Sequence, residues 1–194
     1  MRRVIDHVGP CTLKCDRDRF WMLVRSILSQ QISTAAARTI RNRVVSLVEL
    51  SSGSKRVTPA SLLTLSIEQL RGAGCSQRKA EYMLDLAAKV NECEVRLSTI
   101  GRLDNEEVIE MLVQVRGIGR WTAEMFLMFS LGRLDVFPVD DLGVRNALLK
   151  LYELDQSTSY GDFRAIAEKW QPYATIGSWY CWRSLETDIP SESR

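Results

Sequence analysis

Apolar residues recur every three or four positions along almost the whole chain, and alternation of period two is scarcely seen. That spacing puts an apolar stripe on one face of an α-helix. It predicts helices near 19–31, 34–50, 66–72, 76–91, 104–115, 120–131, 142–152, 161–170 and 175–186. Polar residues mark the starts: Ser33 or Thr34 can cap the second helix, Ser66 and Ser76 precede the next two, and Asp104 with Glu107 has capping-box spacing. Breaks fall at Ser51-Ser52-Gly53-Ser54, Gly72-Ala73-Gly74, Gly117-Ile118-Gly119, Gly132, Pro138 and Pro172. The serine-rich stretch 51–58 is short enough to be a loop. The expected fold is all-α, a helical bundle over residues 1–194.

Composition narrows this picture. A chain of 194 residues, 45% hydrophobic, can bury about 70% of its unfolded surface without a disulfide or metal. No run approaches the roughly 20 apolar residues that span a bilayer, and the first residues lack the apolar core of a secretion signal. An intracellular protein without a membrane partner is expected. Cys11, Cys15, Cys75, Cys93 and Cys181 form no Cys-x-x-Cys pair, which suits reduced thiols. His7, Cys11 and Cys15 recur every four residues, but Gly9-Pro10 interrupts any helix there and no fourth ligand is in sight.

The net charge of +2 conceals a division. Residues 19–79 hold ten basic residues, among them Arg38 and Arg41, against Glu49 and Glu68, a local balance of +8. Residues 80–194 hold twelve basic and nineteen acidic residues, a balance of −7. Such asymmetry suits a polyanion-binding face, and equally a set of solvated helix surfaces. Glu106, Glu107 and Glu110 sit near a helix start, where acids suit the dipole and solvation alone accounts for them.

Two neighbouring features carry candidate chemistry. Leu112 to Ala123 reads as helix, Gly117-Ile118-Gly119 turn, helix; free N–H groups at the second helix start can receive a phosphate oxygen, flanked by Arg116 and Arg120. Such turns also serve purely structural ends. About twenty residues on, Val136-Phe137-Pro138-Val139 delivers Asp140-Asp141 to a helix start. One acid serves as the cap, leaving the other to stabilise a positive charge.

Together these segments resemble a known family. Gly-Ile-Gly-Arg-Trp-Thr-Ala-Glu followed by Val-Phe-Pro-Val-Asp-Asp-Leu-Gly is similar to the helix-hairpin-helix and catalytic loop of the DNA glycosylase superfamily, specifically the 3-methyladenine DNA glycosylase II enzymes. Phe20 to Ser33, Gly74 to Ala80, Trp170 to Tyr173 and Trp179 to Trp182 extend the resemblance over about residues 19–186.

The resemblance implies a two-lobed bundle with the active site in a cleft between lobes, the hairpin near 112–131 and the catalytic loop near 134–145. It implies Asp141 as catalytic, with Asp140 in the variable or capping place before it. The amides of Gly117 and Gly119, with Arg116, Arg120, Arg38 and Arg41, would bind DNA phosphates. Gln31 would be the wedge that fills the gap left by an extruded nucleotide, with a core glutamine as the competing account. Trp121, Trp182 and Trp179 would wall the base pocket, although one of the last two also suits the core. A monovalent cation on the carbonyls of Val115 and Gly117 is implied; no cofactor is required and no four-cysteine iron–sulfur loop is present.

Backbone-cutting members carry a lysine where this chain has Trp121, which cannot form an imine. Hydrolysis of the base alone, leaving an abasic site, is expected. The implied substrate is double-stranded DNA with alkylated bases, and the implied state a monomer. The chain departs from the pattern at Pro172-Tyr173-Ala174-Thr175, where relatives carry an arginine after the tyrosine. A non-catalytic DNA-structure-binding protein and a glycosylase for mismatched or oxidised bases remain alternatives.

Overall fold

The structure, a computed structural model, describes residues 1–187. These residues form α1 (Arg2–Val8), α2 (Arg19–Ser29), α3 (Thr34–Ser52), α4 (Pro59–Leu63), α5 (Ile67–Gly72), α6 (Gln77–Asn91), α7 (Asn105–Val113), α8 (Arg120–Phe129), α9 (Leu142–Leu151), α10 (Tyr160–Glu168) and α11 (Ala174–Glu186), with a short 3-10 turn at Ile100–Arg102. No strand occurs among the described residues, so the all-α reading stands.

The expected caps are in place. The side chains of Ser33, Ser66 and Ser76 accept from the amides of Ala36, Gln69 and Lys79. Asp104 and Glu107 form a reciprocal capping box. Two helices were not expected. In α1 only Val4 is buried, so no apolar stripe announces it, and the helix stops where Gly9 takes a φ of 79°. In α4 five residues follow a Thr58–Ser61 capping box with proline at the helix start, a stretch too short for periodicity to register.

The chain divides into two compact units, with the division falling inside α8 between Phe126 and Leu127. Residues 16–126 form one unit. Its core is built on α2, whose Leu23, Val24, Ile27 and Leu28 are essentially inaccessible, and α2 packs against α3 and α6. Burying a leucine or isoleucine contributes about 1.5–3 kcal/mol, so this one helix face commits the unit. The loop before α2 is fixed by ion pairing of Asp16 with Arg25.

The other unit joins residues 1–15 to the chain from Leu127 onward. Val139, Val144, Ala147, Leu148, Phe163 and Cys181 make its main cluster, which welds the loop before α9 to α10 and α11. Val4, Trp179 and Tyr180 make a second, holding α1 on α11. The Tyr180 hydroxyl donates to the Gly9 carbonyl at 2.8 Å and fixes the end of α1. Gly177 is required inside α11 because a methyl there would enter the Trp170 ring.

Candidate functional site

In unit 16–126 the hairpin joins α7 to α8. Gly117 has a φ of 81°, and the ring of Tyr82 lies where its Cβ would be. Two requirements, a left-handed backbone and a close aromatic neighbour, therefore select glycine there. The Ile118 amide donates to the Val115 carbonyl at 3.1 Å, closing the turn over buried Ile118. The amides of Gly117 and Gly119 donate to no acceptor among the described residues. Gly119 is exposed with open space where a Cβ would point.

The flanking arginines are arranged otherwise than expected. Arg116 pairs with Asp85, which also accepts the Arg116 amide at 2.9 Å. Arg120 makes a two-pronged pair with Glu106, at 2.9 and 2.5 Å, and lies 3.3 Å from buried Glu124. Hydrogen bonding to Glu106 raises the Arg120 pKa further above its ordinary value. Glu106 is thus both a solvated acid and the arginine's partner, and each flanking arginine is already paired at the surface.

The α2–α3 turn carries Gln31, exposed and with a φ of 57°. The side chain does not belong to the core, which removes the competing account for it. Gln31 and Trp121, the latter 42% exposed, line one cavity of about 430 Å³ with Ser26, Ser29, Thr122 and Met125. A second hollow of about 470 Å³ is lined by Ser29, Ile32, Thr34, Arg38 and Arg41. The guanidinium groups of Arg38 and Arg41 have no hydrogen bond or ion pair among the described residues. Other cations of the basic segment are used internally: Arg19 on the carbonyls of Leu97 and Ser98, Arg25 on Asp16, Lys79 on the Leu28 carbonyl at 2.8 Å. Burial lowers the Lys79 pKa below that of a free lysine.

The unit of residues 1–15 and 127 onward holds the acids. Asp141 is itself the N-cap of α9, accepting from the Val144 amide at 2.8 Å, while Asp140 is exposed; the division of labour between the two is the reverse of a capping Asp140. The same oxygen of Asp141 accepts from the Trp182 indole N–H at 2.9 Å. Trp182 stacks on Phe129, ring centroids 5.7 Å apart. Gly143 admits the indole, since a Cβ there would stand 3.1 Å from both the carboxylate and the ring. Trp179 is only 8% exposed and packed with Val4 and Tyr180, so it is a core residue and not a pocket wall.

One unit thus holds a carboxylate fixed at a helix start by two donors, and the other a glycine hairpin whose amides meet no acceptor among the described residues. The model of the HhH-GPD superfamily base excision DNA repair proteins matches residues 24–172. The chain belongs to that superfamily. Within it, the chain is 37% identical over 163 residues to DNA-3-methyladenine glycosylase 1 of Schizosaccharomyces pombe, covering 84% of this chain and 70% of the relative. A DNA-3-methyladenine glycosidase from Bacillus halodurans superposes with a TM-score of 0.85 at 36% identity, covering 96% of this chain and 84% of that one. The 3-methyladenine DNA glycosylase Mag1 of S. pombe, solved in complex with abasic DNA, superposes with a TM-score of 0.83 at 32% identity, covering 98% and 93%. The chain spans 63%, 70% and 85% of the length of three curated relatives from Bacillus subtilis and S. pombe.

Three residues that fix the backbone around these two segments had no assigned role in the sequence. Thr175, 1% exposed, accepts from the Val136 amide at 3.1 Å and donates to the Arg133 carbonyl at 2.7 Å, pinning the loop before α9 to α11. Arg145 donates to the Val139 carbonyl at 2.9 Å and lies 5.0 Å from the centre of the Tyr160 ring, bracing the same loop. Gln30 donates to the Gly117 carbonyl at 2.8 Å. Their contacts had no signal in the sequence, because each side chain acts on a backbone group that only the folded chain brings to it. The carbonyls of Val115 and Gly117, expected to share a cation, are each already hydrogen-bonded, to Ile118 and to Gln30. No cluster of three metal-ligating side chains occurs among the described residues, His7, Cys11 and Cys15 included. No helix there is long and apolar enough to cross a membrane.

Proposed function

We propose that this protein is a monofunctional DNA glycosylase that flips alkylated bases of the 3-methyladenine type out of duplex DNA and hydrolyses their glycosidic bonds. It acts inside the cell as a monomer and leaves an abasic site for later steps of base excision repair. The observation that carries this reading is Asp141: an ionisable carboxylate, held in one orientation by Val144 and Trp182, in a chain related to enzymes named for 3-methyladenine excision.

The chemistry follows from the leaving group. A purine alkylated on a ring nitrogen carries positive charge, so the C1′–N bond breaks with its electron pair moving to the base. Positive charge then develops on the sugar as an oxocarbenium-like cation. Asp141 stabilises that cation, and water adds to C1′ as its proton passes to the carboxylate. At about 4 Å and an effective dielectric near 20, a full charge pair is worth about 4 kcal/mol, close to a thousandfold in rate. Trp121 supplies an aromatic face for a cationic base, and having no amine it cannot open the sugar by imine formation. Gln31 fills the vacated stack. Extruding the base costs a few kcal/mol, least where pairing is already weakened, which adds discrimination.

The test is to incubate the protein with methylated duplex DNA, chromatograph released bases, and repeat with Asp141→Asn. Asparagine caps a helix as well as aspartate and its amide oxygen can keep both Val144 and Trp182, so the variant isolates the charge. A rate about a thousandfold lower with unchanged melting is expected. Binding without any base release by the wild type overturns the catalytic assignment in favour of a structure-binding protein.

A further inference from the structure

Gln30 ends α2, and its neighbour Gln31 sits in the left-handed region with a φ of 57°. A glutamine there costs about 1–2 kcal/mol, so it persists only where the surroundings impose it. The surroundings are explicit. The Gln30 amide N–H donates to the Ile27 carbonyl at 3.4 Å, and the Lys79 ammonium takes the Leu28 carbonyl at 2.8 Å. The Gln30 side-chain nitrogen reaches 87 residues along the chain to the Gly117 carbonyl at 2.8 Å. A carbonyl only accepts, so the facing atom of Gln30 is its nitrogen. Gly117 is itself immobilised, its φ of 81° set beneath the Tyr82 ring. One side chain therefore joins the turn carrying Gln31 to the turn whose Gly117 and Gly119 amides meet no acceptor among the described residues.

We propose that Gln30 is a positioning residue that couples the Gln31 turn to the hairpin, so that seating of the hairpin on the DNA backbone and entry of Gln31 into the stack are one event. This rests on the roles of Gln31 and the hairpin in the proposed function. A carbonyl capped only for stability would hold both turns without linking their actions on DNA, and the two accounts separate in a double-mutant cycle.

The experiment uses the full chain with duplexes containing a tetrahydrofuran abasic analogue beside a 2-aminopurine, whose fluorescence rises on unstacking, and undamaged duplex of the same sequence. Gln30→Met keeps length and removes the donor; Gln30→Asn keeps the amide and shortens the reach. Both are expected to bind undamaged duplex within about twofold of wild type and to lose about 5- to 30-fold in affinity for the abasic duplex, with a smaller fluorescence rise. Gln31→Ala is expected to lose a similar factor, and Gln30→Met with Gln31→Ala no more than about twofold beyond Gln31→Ala alone. Multiplying losses in the double variant, equal losses on both duplexes, or no loss in the single variants overturns the proposal. If melting shows that Gln30→Met does not fold, Gln30→Asn decides alone. These readouts need no base release, so a wild type that excises nothing yet shows the coupled response refutes the glycosylase reading and leaves this one standing.

Discussion

Gly117→Ala tests the hairpin from two directions at once. An alanine held at a φ of 81° costs about 1–2 kcal/mol, because its Cβ crowds the following carbonyl. The new methyl would also overlap the Tyr82 ring, which must swing away. Overpacking of this kind costs about 1–3 kcal/mol, and half-buried Tyr82 can relieve only part of it. The total, about 2–5 kcal/mol, corresponds to a fall of about 4–20 °C in melting temperature for a chain of this size. Gly119→Ala is the internal control, having no atom within 4 Å of its added Cβ and no positive φ. Its melting temperature should stay within about 2 °C of wild type. Yet its methyl stands on the outward side, beside the amide offered to phosphate, so duplex affinity should fall several-fold. Thermal melts and fluorescence anisotropy with a short duplex measure both quantities. Equal melting of the two variants, or a Gly117→Ala protein as stable as wild type, would refute this account of the turn.

Arg38→Glu and Arg41→Glu should each weaken duplex binding about 3- to 10-fold at low salt, regardless of base sequence, with melting unchanged; unaltered affinity would place the DNA face elsewhere. If Arg38, Arg41, Arg43, Arg56 and Arg78, which pair with nothing among the described residues, all met phosphates, the logarithm of affinity would fall with that of salt at a slope of about 4–5. A slope near six would mean that Arg116 and Arg120 leave their acids on binding. Thr175→Val should lower the melting temperature by about 2–12 °C, since the buried Val136 amide loses its acceptor, while Thr175→Ser should recover most of the loss. Burial pushes the thiols of Cys75 and Cys181 up to about 11 and about 12. Iodoacetamide at pH 8–9 should therefore label exposed Cys15 and Cys93 and spare those two until the chain unfolds, as read by mass spectrometry. Their raised values also mean that the stability of burying neutral thiols is complete below pH 9 and is lost as pH climbs towards 11–12.

What could be read from the sequence was local. Ser33, Ser66, Ser76 and the Asp104–Glu107 pair announce their helices because a cap contacts an amide two or three residues away. The Gly117 turn was legible for the same reason. Trp179 and Trp182 could not be sorted, because three residues apart on a helix they project on neighbouring faces, and only the tertiary packing decides which is covered. The fate of Arg116 and Arg120 was hidden likewise, since Asp85 and Glu106 lie on other helices. Asp140 and Asp141 were indistinguishable as caps until the start of α9 was fixed to the residue.

The paired arginines alter what the charge division means. The basic segment 19–79 spends several of its cations inside the fold: Arg19 and Lys79 on carbonyls, Arg25 on Asp16, Lys55 within 3.8 Å of Glu49. The hairpin in turn neutralises its own arginines with Asp85, Glu106 and Glu124. What it leaves without an acceptor among the described residues are the amide N–H groups of Gly117 and Gly119, backbone partial charges that need no flexible side chain to be ordered. A long-range cationic field draws the protein to DNA without regard to which phosphate it meets. Oriented amides act only at contact, so they favour one phosphate position over its neighbours. The proposed glycosylase, which would place Asp141 against a single sugar, gains more from that registry than from added charge, and a net of +2 suits it.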